Sequence, residues 1–204
     1  MVRKAHLLIK IVLIALIYPS CTAPSTKDNT DVSLLVDTTM IPLDTILSDD
    51  EDLYIDNGIY YLDSLPYDGY VRRLELEVVV SVGSYCHGMQ HGNTLTYFEN
   101  GKLRDSRSYR EGKAFGRHTG YWENGHKKFE FLYIDDRREG LQQQWYESGT
   151  PYSFLTFKDD REEGMQKAWR ENGKPYINYE VKDGHRYGMQ KAALCYTLKD
   201  GAIK

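Results

Sequence analysis

The residues best placed for chemistry in this sequence are a cysteine and two histidines in one short stretch. Cys86 and His87 are adjacent, and His91 follows four residues later. Cysteine and histidine at such spacing can ligate zinc, which takes four ligands in structural sites. No fourth ligand is evident in the sequence, and His87 falls at a loop position of the repeat described below. We therefore predict no metal site and no cofactor.

Paired carboxylates are the second chemically capable group. Asp135 and Asp136, and again Asp159 and Asp160, form pairs 24 residues apart. Catalysis would require such carboxylates, or a nucleophile with its base, inside a pocket. These pairs recur in predicted loops of a flat sheet, which offers little concavity. The sequence therefore predicts that the protein is not an enzyme.

The elements that position these residues repeat every 24 residues, and glycine marks the period. The first series of glycines is Gly92, Gly116, Gly140, Gly164 and Gly188. A turn dipeptide recurs at Asn100-Gly101, Asn124-Gly125, Ser148-Gly149 and Asn172-Gly173. A third series is Gly88, Gly112, Asp136, Asp160 and Gly184. Asp tolerates positive φ better than most residues, so it can replace Gly in this series.

Each 24-residue unit is predicted to be a β-hairpin. In residues 140–163, GLQQQWYE and TPYSFLTFK are the two strands, and SG is the turn between them. Asn-Gly between such runs is typical of a two-residue turn in which both residues have positive φ. Isolated hairpins are marginally stable, so the units should fold only together. The fold class is thus all-β, an elongated single-layer antiparallel meander of stacked hairpins.

Aromatic residues occupy fixed positions in the unit. The first strand carries Tyr97, Tyr121, Trp145 and Trp169. The second strand carries Tyr85, Tyr109, Tyr133, Phe157 and Val181. Neighbouring strands lie about 4.8 Å apart, so we expect the rings to interleave into one ladder along one sheet face.

This unit resembles the MORN-variant repeats of bacterial proteins, where MORN stands for membrane occupation and recognition nexus. The matching motifs are a glycine, an aromatic and Glu-Asn-Gly, as in GMQKAWRENG (164–173), followed by DGHRYG (183–188). The resemblance covers about residues 84 to 192. It implies a repeat protein, and it brings an antitoxin-like family label with little mechanism.

The N-terminus has the pattern of an export signal. Arg3, Lys4 and Lys10 precede IVLIALIY (11–18), and Cys21 follows shortly afterwards. Eight apolar residues are far fewer than the roughly 20 that span a bilayer, so a signal peptide is favoured. The small residue before Cys21 makes the site resemble the lipobox of bacterial lipoproteins, which implies lipidation of Cys21.

The chain is accordingly divided into four parts. Residues 1–21 are the signal peptide, 22–52 a polar and acidic tether, 53–87 a degenerate first repeat, and 88–204 the array with a decayed C-terminal cap. Residues 22–87 contain 3 basic and 13 acidic residues, and residues 88–204 contain 20 and 17. A nucleic-acid-binding protein has a concentrated basic face, whereas here an acidic segment precedes an array with charges of both signs. The sequence therefore predicts no nucleic-acid partner.

The spacing of the cysteines predicts free thiols. Cys86 and Cys195 are about four and a half units apart, which corresponds to roughly 40 Å along an open array. A disulfide requires Cα atoms within about 7 Å. We therefore expect no bond between them within one chain.

One aromatic column could bind ligands. Phe98, Trp122 and Tyr146, continued by Arg170, should point away from the neighbouring Tyr/Trp column. Such rings could stack on sugars, or they could belong to an ordinary amphipathic face. We predict an exported, lipid-anchored and non-enzymatic protein that presents its sheet to a protein partner in the cell envelope. The alternatives are glycan or cell-wall binding, and an immunity role against an envelope-acting toxin.

Overall fold

The computed structural model describes residues 35–190 and the backbone of 198–199 and 202–203. The strands are β1 (Thr45–Leu47), β2 (Leu53–Asp56), β3 (Ile59–Leu62), β4 (Leu65–Pro66), β5 (Gly69–Glu75), β6 (Val78–Cys86), β7 (Met89–Tyr97), β8 (Leu103–Arg110), β9 (Lys113–Ala114), β10 (Gly116–Tyr121), β11 (Lys127–Ile134), β12 (Arg137–Arg138), β13 (Gly140–Trp145), β14 (Pro151–Lys158), β15 (Arg161–Trp169), β16 (Pro175–Lys182), β17 (His185–Met189), β18 (Leu198–Lys199) and β19 (Ala202–Ile203). Within the described part of the chain, no helix is long and apolar enough to cross a membrane.

One long sheet dominates the structure. Its strand order is β1-β5-β6-β7-β8-β10-β11-β13-β14-β15-β16-β17, with β9 and β12 paired to β8 and β11. From β5 onward every neighbouring pair is antiparallel, and each repeat contributes two main strands. The sheet does not close on itself. The all-β hairpin meander predicted from the 24-residue period is therefore confirmed.

The N-terminal end of the sheet is more elaborate than a single antiparallel layer. β1 pairs with β5 in parallel, and Ile41 just before it is buried. The separate sheet β2-β3-β4 packs on the long sheet, where the ring of Tyr60 lies 4.4 Å from that of Tyr85. Tyr67, Val71 and Tyr85 form the buried cluster beneath it. The β2-β3-β4 sheet, residues 53–66, thus packs against the first strands of the long sheet, whereas β1 extends the long sheet by one strand.

The Asn-Gly turns are not the two-residue turns that we predicted. Positive φ, between 77° and 90°, occurs only at the glycines, namely Gly101, Gly125, Gly149 and Gly173. In the first turn, the Gly101 N–H donates to the Phe98 oxygen at 2.9 Å. The Asn100 side chain accepts a hydrogen bond from the Lys102 N–H at 3.0 Å. The asparagine side chain therefore accepts a backbone hydrogen bond in a turn that is longer than two residues. This role does not require a positive φ at asparagine.

The two-residue turns lie at the other end of each repeat, in the segment that we had predicted to be an extended loop. Both residues have positive φ in His87-Gly88, Glu111-Gly112, Asp135-Asp136, Asp159-Asp160 and Asp183-Gly184. This combination defines the hairpin turn whose twist matches that of the flanking strands. The predicted replacement of Gly by Asp at positive φ is confirmed, since φ is 68° at Asp136 and 64° at Asp160.

The predicted single ladder of rings is wrong, because the two aromatic columns lie on opposite faces. Gly140 lies directly opposite Phe157 in the β13–β14 pair, so both belong to the same face. Trp145 is five residues after Gly140, and side chains alternate along a strand, so Trp145 belongs to the other face. We call the face that carries Gly140 and Phe157 the packed face. Its aromatic column consists of Tyr85, Tyr109, Tyr133, Phe157 and, in the last repeat, Val181. We call the opposite face the tryptophan face, with Tyr97, Tyr121, Trp145 and Trp169.

Rings still connect neighbouring repeats, but they do so separately on each face. On the tryptophan face, Phe154 lies edge-on between Trp145 and Trp169, at centroid distances of 5.6 and 5.2 Å. On the packed face, His118 lies 5.6 Å from Tyr109 and 4.7 Å from Tyr133. These distances fall in the range of favourable aromatic pairs.

A column of buried polar side chains runs along the packed face and was missed in the sequence. Its members are spaced by 24 residues and are His118, Gln142 and Gln166. The Gln142 amide donates to the Leu132 oxygen at 3.1 Å and accepts from the Leu132 N–H at 3.2 Å. The Gln166 amide donates to the Thr156 oxygen at 2.7 Å. The equal spacing of these polar residues within strands was the available signal.

This column supplies hydrogen bonds where the ladder between repeats is interrupted. β8 and β10 are in register only at Thr119–Ser106 and Gly120–Asp105. Beyond that point the His118 ring donates from Nε2 to the Ser108 oxygen at 2.8 Å. The Ser108 and Leu132 oxygens also accept the backbone N–H groups of Phe115 and Glu139, at 3.0 Å each, so the column adds a second hydrogen bond to these carbonyls. The Leu132 N–H, by contrast, is paired by the Gln142 amide oxygen.

The histidine of this column should make folding pH-dependent. Burial lowers the pKa of His118, although its hydrogen bond to Ser108 opposes this. Because the folded pKa lies below the unfolded value, stability is full above about pH 6.5 and falls as the pH drops toward the folded pKa. Replacing His118→Gln introduces the residue that the next two repeats use, so this loss should disappear. The thermal unfolding midpoint, measured between about pH 7 and pH 5, tests it.

The exposed His185 provides the control for this measurement. His185→Gln should unfold with the same pH dependence as the unmodified protein. A midpoint that falls equally with pH in the His118→Gln variant would show that His118 does not cause the effect.

Candidate binding surfaces

The four residues predicted to bind ligands lie together along the turn edge of the sheet. Phe98, Trp122, Tyr146 and Arg170 each occupy the first position of an Asn-Gly or Ser-Gly turn, and each is half-buried. In each turn the backbone N–H of this residue donates to the oxygen of the residue four positions later, as from Trp122 to His126 at 2.8 Å. The repeat thus places these side chains in one row.

Two of these side chains connect one repeat to the next. The Trp122 indole N–H donates to the Trp145 oxygen at 3.1 Å, and the Tyr146 hydroxyl donates to the Trp169 oxygen at 2.9 Å. The Lys128 ammonium lies 4.3 Å from the centre of the Trp122 ring. The row is therefore partly covered by the protein itself, which leaves less ring surface for stacking on a sugar.

Clefts separate successive turns along this edge. The first has a volume of about 450 Å³ and is lined by Phe98, Arg104 and Glu123, among others. The second, of about 510 Å³, is lined in the same way by Trp122, Lys128 and Glu147. Each cleft thus combines an aromatic ring, a cation and a carboxylate, and the combination recurs after 24 residues. A partner extended along this edge would meet equivalent groups in successive repeats.

The floor of the second cleft holds a neutralised charge. Asp105 is buried and forms ion pairs with Arg104 at 3.3 Å and with Arg107 at 3.1 Å. The Thr96 hydroxyl donates to the same carboxylate at 2.6 Å. Since a buried carboxylate requires such partners, Asp105 is committed to the fold.

The tryptophan face carries an exposed apolar row that the sequence analysis missed. Leu141, Met165 and Met189 occupy the same position in three successive repeats and are 47%, 41% and 36% exposed. Tyr187, which is 59% exposed, lies on the same face, because Glu180 is opposite both Met165 and Tyr187. In the earlier repeats this position holds Asn93 and Arg117. At this one repeat position, the C-terminal repeats are therefore apolar and the N-terminal repeats are polar.

The paired carboxylates considered for catalysis serve as links between repeats. Arg110 pairs with Asp135 at 3.0 Å, and Arg138 pairs with Asp160 at 2.5 Å. The hydrogen bond from Arg138 lowers the pKa of Asp160. These groups are exposed, so each pair contributes little to stability. In the structure all four carboxylates lie in the exposed two-residue turns between strands.

The structure does not bring together Cys86, His87 and His91, the residues that we considered as metal ligands and rejected. His91 is buried, and its Nε2 donates to the Asp37 oxygen at 3.0 Å. Cys86 and His87 instead meet Asp68, whose carboxylate accepts from the His87 N–H. The prediction of a free thiol at Cys86 is wrong, because this cysteine is disulfide-bonded. A disulfide sulfur is not a thiolate ligand, so the cluster offers fewer donors than a structural zinc site requires.

The remaining predictions about cysteine concern other parts of the chain. Cys21, the predicted lipidation site, and Cys195 lie outside the described residues. The same is true of the predicted signal peptide.

A comparison with protein families supports the repeat assignment. The model of the MORN repeat variant matches residues 90–111 and 138–159, two hairpins that are two periods apart. MORN repeats are generally non-catalytic and typically mediate protein or membrane interactions. No curated protein matches the chain. The chain thus carries repeats of this variant in at least these two units.

The hydrogen bond between repeats at Tyr146 should contribute measurably to stability. Tyr146→Phe removes the donor to the Trp169 oxygen while keeping the ring, so we expect a loss of about 0.5–1.5 kcal/mol in the free energy of unfolding. Urea denaturation would measure it. Tyr187→Phe, at an exposed position, is the matched control and should change stability far less. Equal losses in the two variants would contradict a linking role for the Tyr146 hydroxyl.

Proposed function

We propose that this is an exported interaction protein that binds a protein partner through the C-terminal half of its tryptophan face. The observation that carries the proposal is the exposed row of Leu141, Met165 and Met189, supplemented by Tyr187. Methionine and aromatic residues are enriched at protein interfaces. Successive members of the row are two strands apart, roughly 10 Å, so the row extends over about 20 Å.

The charges around this row suit a protein better than a polyanion. Lys167 and Asn178 are directly opposite each other on the same face, and Glu180 lies beside Met165. A polar rim of mixed sign around an apolar centre is typical of protein–protein interfaces. A phosphate-rich partner would favour a continuous basic surface instead.

Export and membrane anchoring are the second part of the proposal. The N-terminal sequence, with its basic residues, short apolar run and Cys21, supports a lipoprotein signal. The sequence that follows Cys21, TAPSTKDNTDV (22–32), is polar, as the predicted tether requires. The partner would belong to the cell envelope, because the array would be held at a membrane surface.

Glycan binding is the alternative that one observation favours. The clefts of the turn edge combine a ring, a cation and a carboxylate, which suits a sugar with its apolar face and hydroxyl groups. The coverage of Trp122 by Lys128 reduces the ring surface available for stacking. We therefore favour the protein partner.

Partner binding should depend on the apolar row. Met165→Glu places a charge in its centre and should abolish retention of envelope proteins by the tagged, purified chain. Asn93→Glu introduces the same residue at the same repeat position in an N-terminal repeat, and it should leave retention unchanged. Quantitative mass spectrometry of the retained proteins provides the comparison, and unfolding midpoints would confirm that both variants fold. Retention that survives Met165→Glu would refute this surface.

The anchor at Cys21 can be tested separately by metabolic labelling with radioactive palmitate. The unmodified protein and Cys195→Ser should incorporate the label, whereas Cys21→Ser should not. Equal incorporation in Cys21→Ser would exclude a lipid at this residue.

A further inference from the structure

Three Asn-Gly turns of the array are locally equivalent. The Asn side chain accepts a hydrogen bond from the backbone N–H two residues later, at 3.0 Å for Asn100, 2.9 Å for Asn124 and 3.1 Å for Asn172. The N–H of the following glycine donates within the turn at 2.8 to 2.9 Å in all three cases. All three asparagines are exposed. Their backbone and side-chain oxygen environments therefore match.

The turns differ at the amide nitrogen of the asparagine. Asn100 Nδ2 donates to the Glu123 carboxylate at 2.9 Å, and Asn124 Nδ2 donates to the Glu147 backbone oxygen at 2.9 Å. Within the described part of the chain, Asn172 Nδ2 has no hydrogen-bond partner. The following repeat thus holds the side-chain amides of Asn100 and Asn124, and none of the described residues holds that of Asn172.

The residue two positions after each asparagine shows the same contrast. Lys102 Nζ donates to the Glu123 oxygen at 3.1 Å, and His126 Nδ1 donates to the Glu147 oxygen at 2.8 Å. Among the described residues, the equivalent side chain of Lys174 makes no such bond to a following turn. Two contacts therefore hold each of the earlier turns to its neighbour, and both are missing at the turn of Asn172.

An amide in this sequence context can undergo an intramolecular reaction. The backbone nitrogen of the following glycine loses its proton to water or hydroxide and attacks the side-chain carbon Cγ, since glycine has no side chain to obstruct it. The new C–N bond closes a succinimide ring, the Cγ–Nδ2 bond breaks, and ammonia leaves with a proton from solvent. Water then opens the ring at either carbonyl and yields aspartate or isoaspartate. The net change is gain of water and loss of ammonia.

We propose that Asn172 is a site of spontaneous deamidation and that it reacts well before Asn100 and Asn124. Ring closure requires the side-chain amide to rotate toward the glycine nitrogen and to release Nδ2. At Asn100 and Asn124 the hydrogen bond from Nδ2 to the next repeat must break first. Among the described residues Asn172 Nδ2 has no such bond to break, and the hydrogen bonds within its turn match those of the other two turns. Ser148 occupies the equivalent position of the remaining repeat and has no amide to lose.

The reaction would alter the C-terminal end of the array selectively. The Asn172 turn joins β15 to β16, and only β17 follows in the long sheet. Isoaspartate lengthens the backbone by one methylene, and either product adds a negative charge. In a repeat array each unit depends on its neighbours, so a weakened turn near the end should open the last strands while leaving the central repeats folded.

The full chain itself provides the internal comparison. It would be incubated at mildly alkaline pH and digested, and mass spectrometry would quantify aspartate and isoaspartate at the three asparagines in the same sample. We expect conversion at Asn172 to be several-fold faster than at Asn100 or Asn124. Equal or slower conversion at Asn172 would overturn the proposal. Asn57-Gly58 occupies a turn in which both residues have positive φ, and it is not part of this comparison.

Removing the contact at an earlier turn tests the mechanism. Glu123→Ala deletes the acceptor of Asn100 Nδ2 and should raise the rate at Asn100 toward that of Asn172. Glu99 is the exposed residue one repeat before Glu123, so Glu99→Ala is the control substitution. It should leave the rate of deamidation at Asn100 unchanged. An unaltered rate at Asn100 in the Glu123→Ala chain would show that the amide hydrogen bond does not provide the protection. Asn172→Ser, which copies the repeat of Ser148, should eliminate the reaction at this turn.

Discussion

The structure depends on how the protein satisfies the backbone where consecutive hairpins meet. Within a hairpin the ladder is nearly continuous, but between hairpins it is interrupted after a few residues. A buried His or Gln side chain adds a hydrogen bond to a strand carbonyl at this point in three successive repeats. The Gln142 amide also pairs the Leu132 N–H at 3.2 Å, and a buried backbone group without a partner costs free energy comparable to a lost hydrogen bond, so these polar contacts stabilise the stacking of hairpins.

The packed face is committed to stability for the same reason. On this face, side chains contact residues that are fewer than 24 positions away in the sequence. This holds for the polar column, for the tyrosines beside it and for the ion-paired Asp105. The guanidinium groups of Arg110 and Arg138 lie over Phe115 and Phe157, at 3.7 and 3.9 Å from the ring centres, and shield them from solvent. What remains available to a partner is the tryptophan face and the turn edge, whose side chains are half-buried or exposed.

The N-terminal end shows how an open sheet can be terminated. An exposed edge strand presents unpaired backbone groups that could pair with other chains. Here the short parallel strand β1 covers the edge of β5, and the contact between Asp37 and His91 holds the preceding segment in place. The regular repeats thus form the array, and the segment before them, which does not follow the repeat pattern, covers its N-terminal edge.

The sequence by itself determined the period, the two strands per unit and the positive φ of the repeated glycines, because these depend on local backbone sterics, whereas its prediction of positive φ at the asparagines was wrong. The residues predicted to bind ligands do form one row, since equal spacing in a repeat implies equal position, but this row lies at the turn edge and not on the sheet face where the alternation of side chains had led us to expect it. Only the tertiary structure decided which aromatic column faces which side, because a shift of one residue in strand register reverses the face. Likewise, only packing between repeats showed that Gln142 and Gln166 are buried and that Leu141 and Met165 are exposed. The hydrophobicity of a residue does not determine its burial when the neighbouring backbone needs a hydrogen bond.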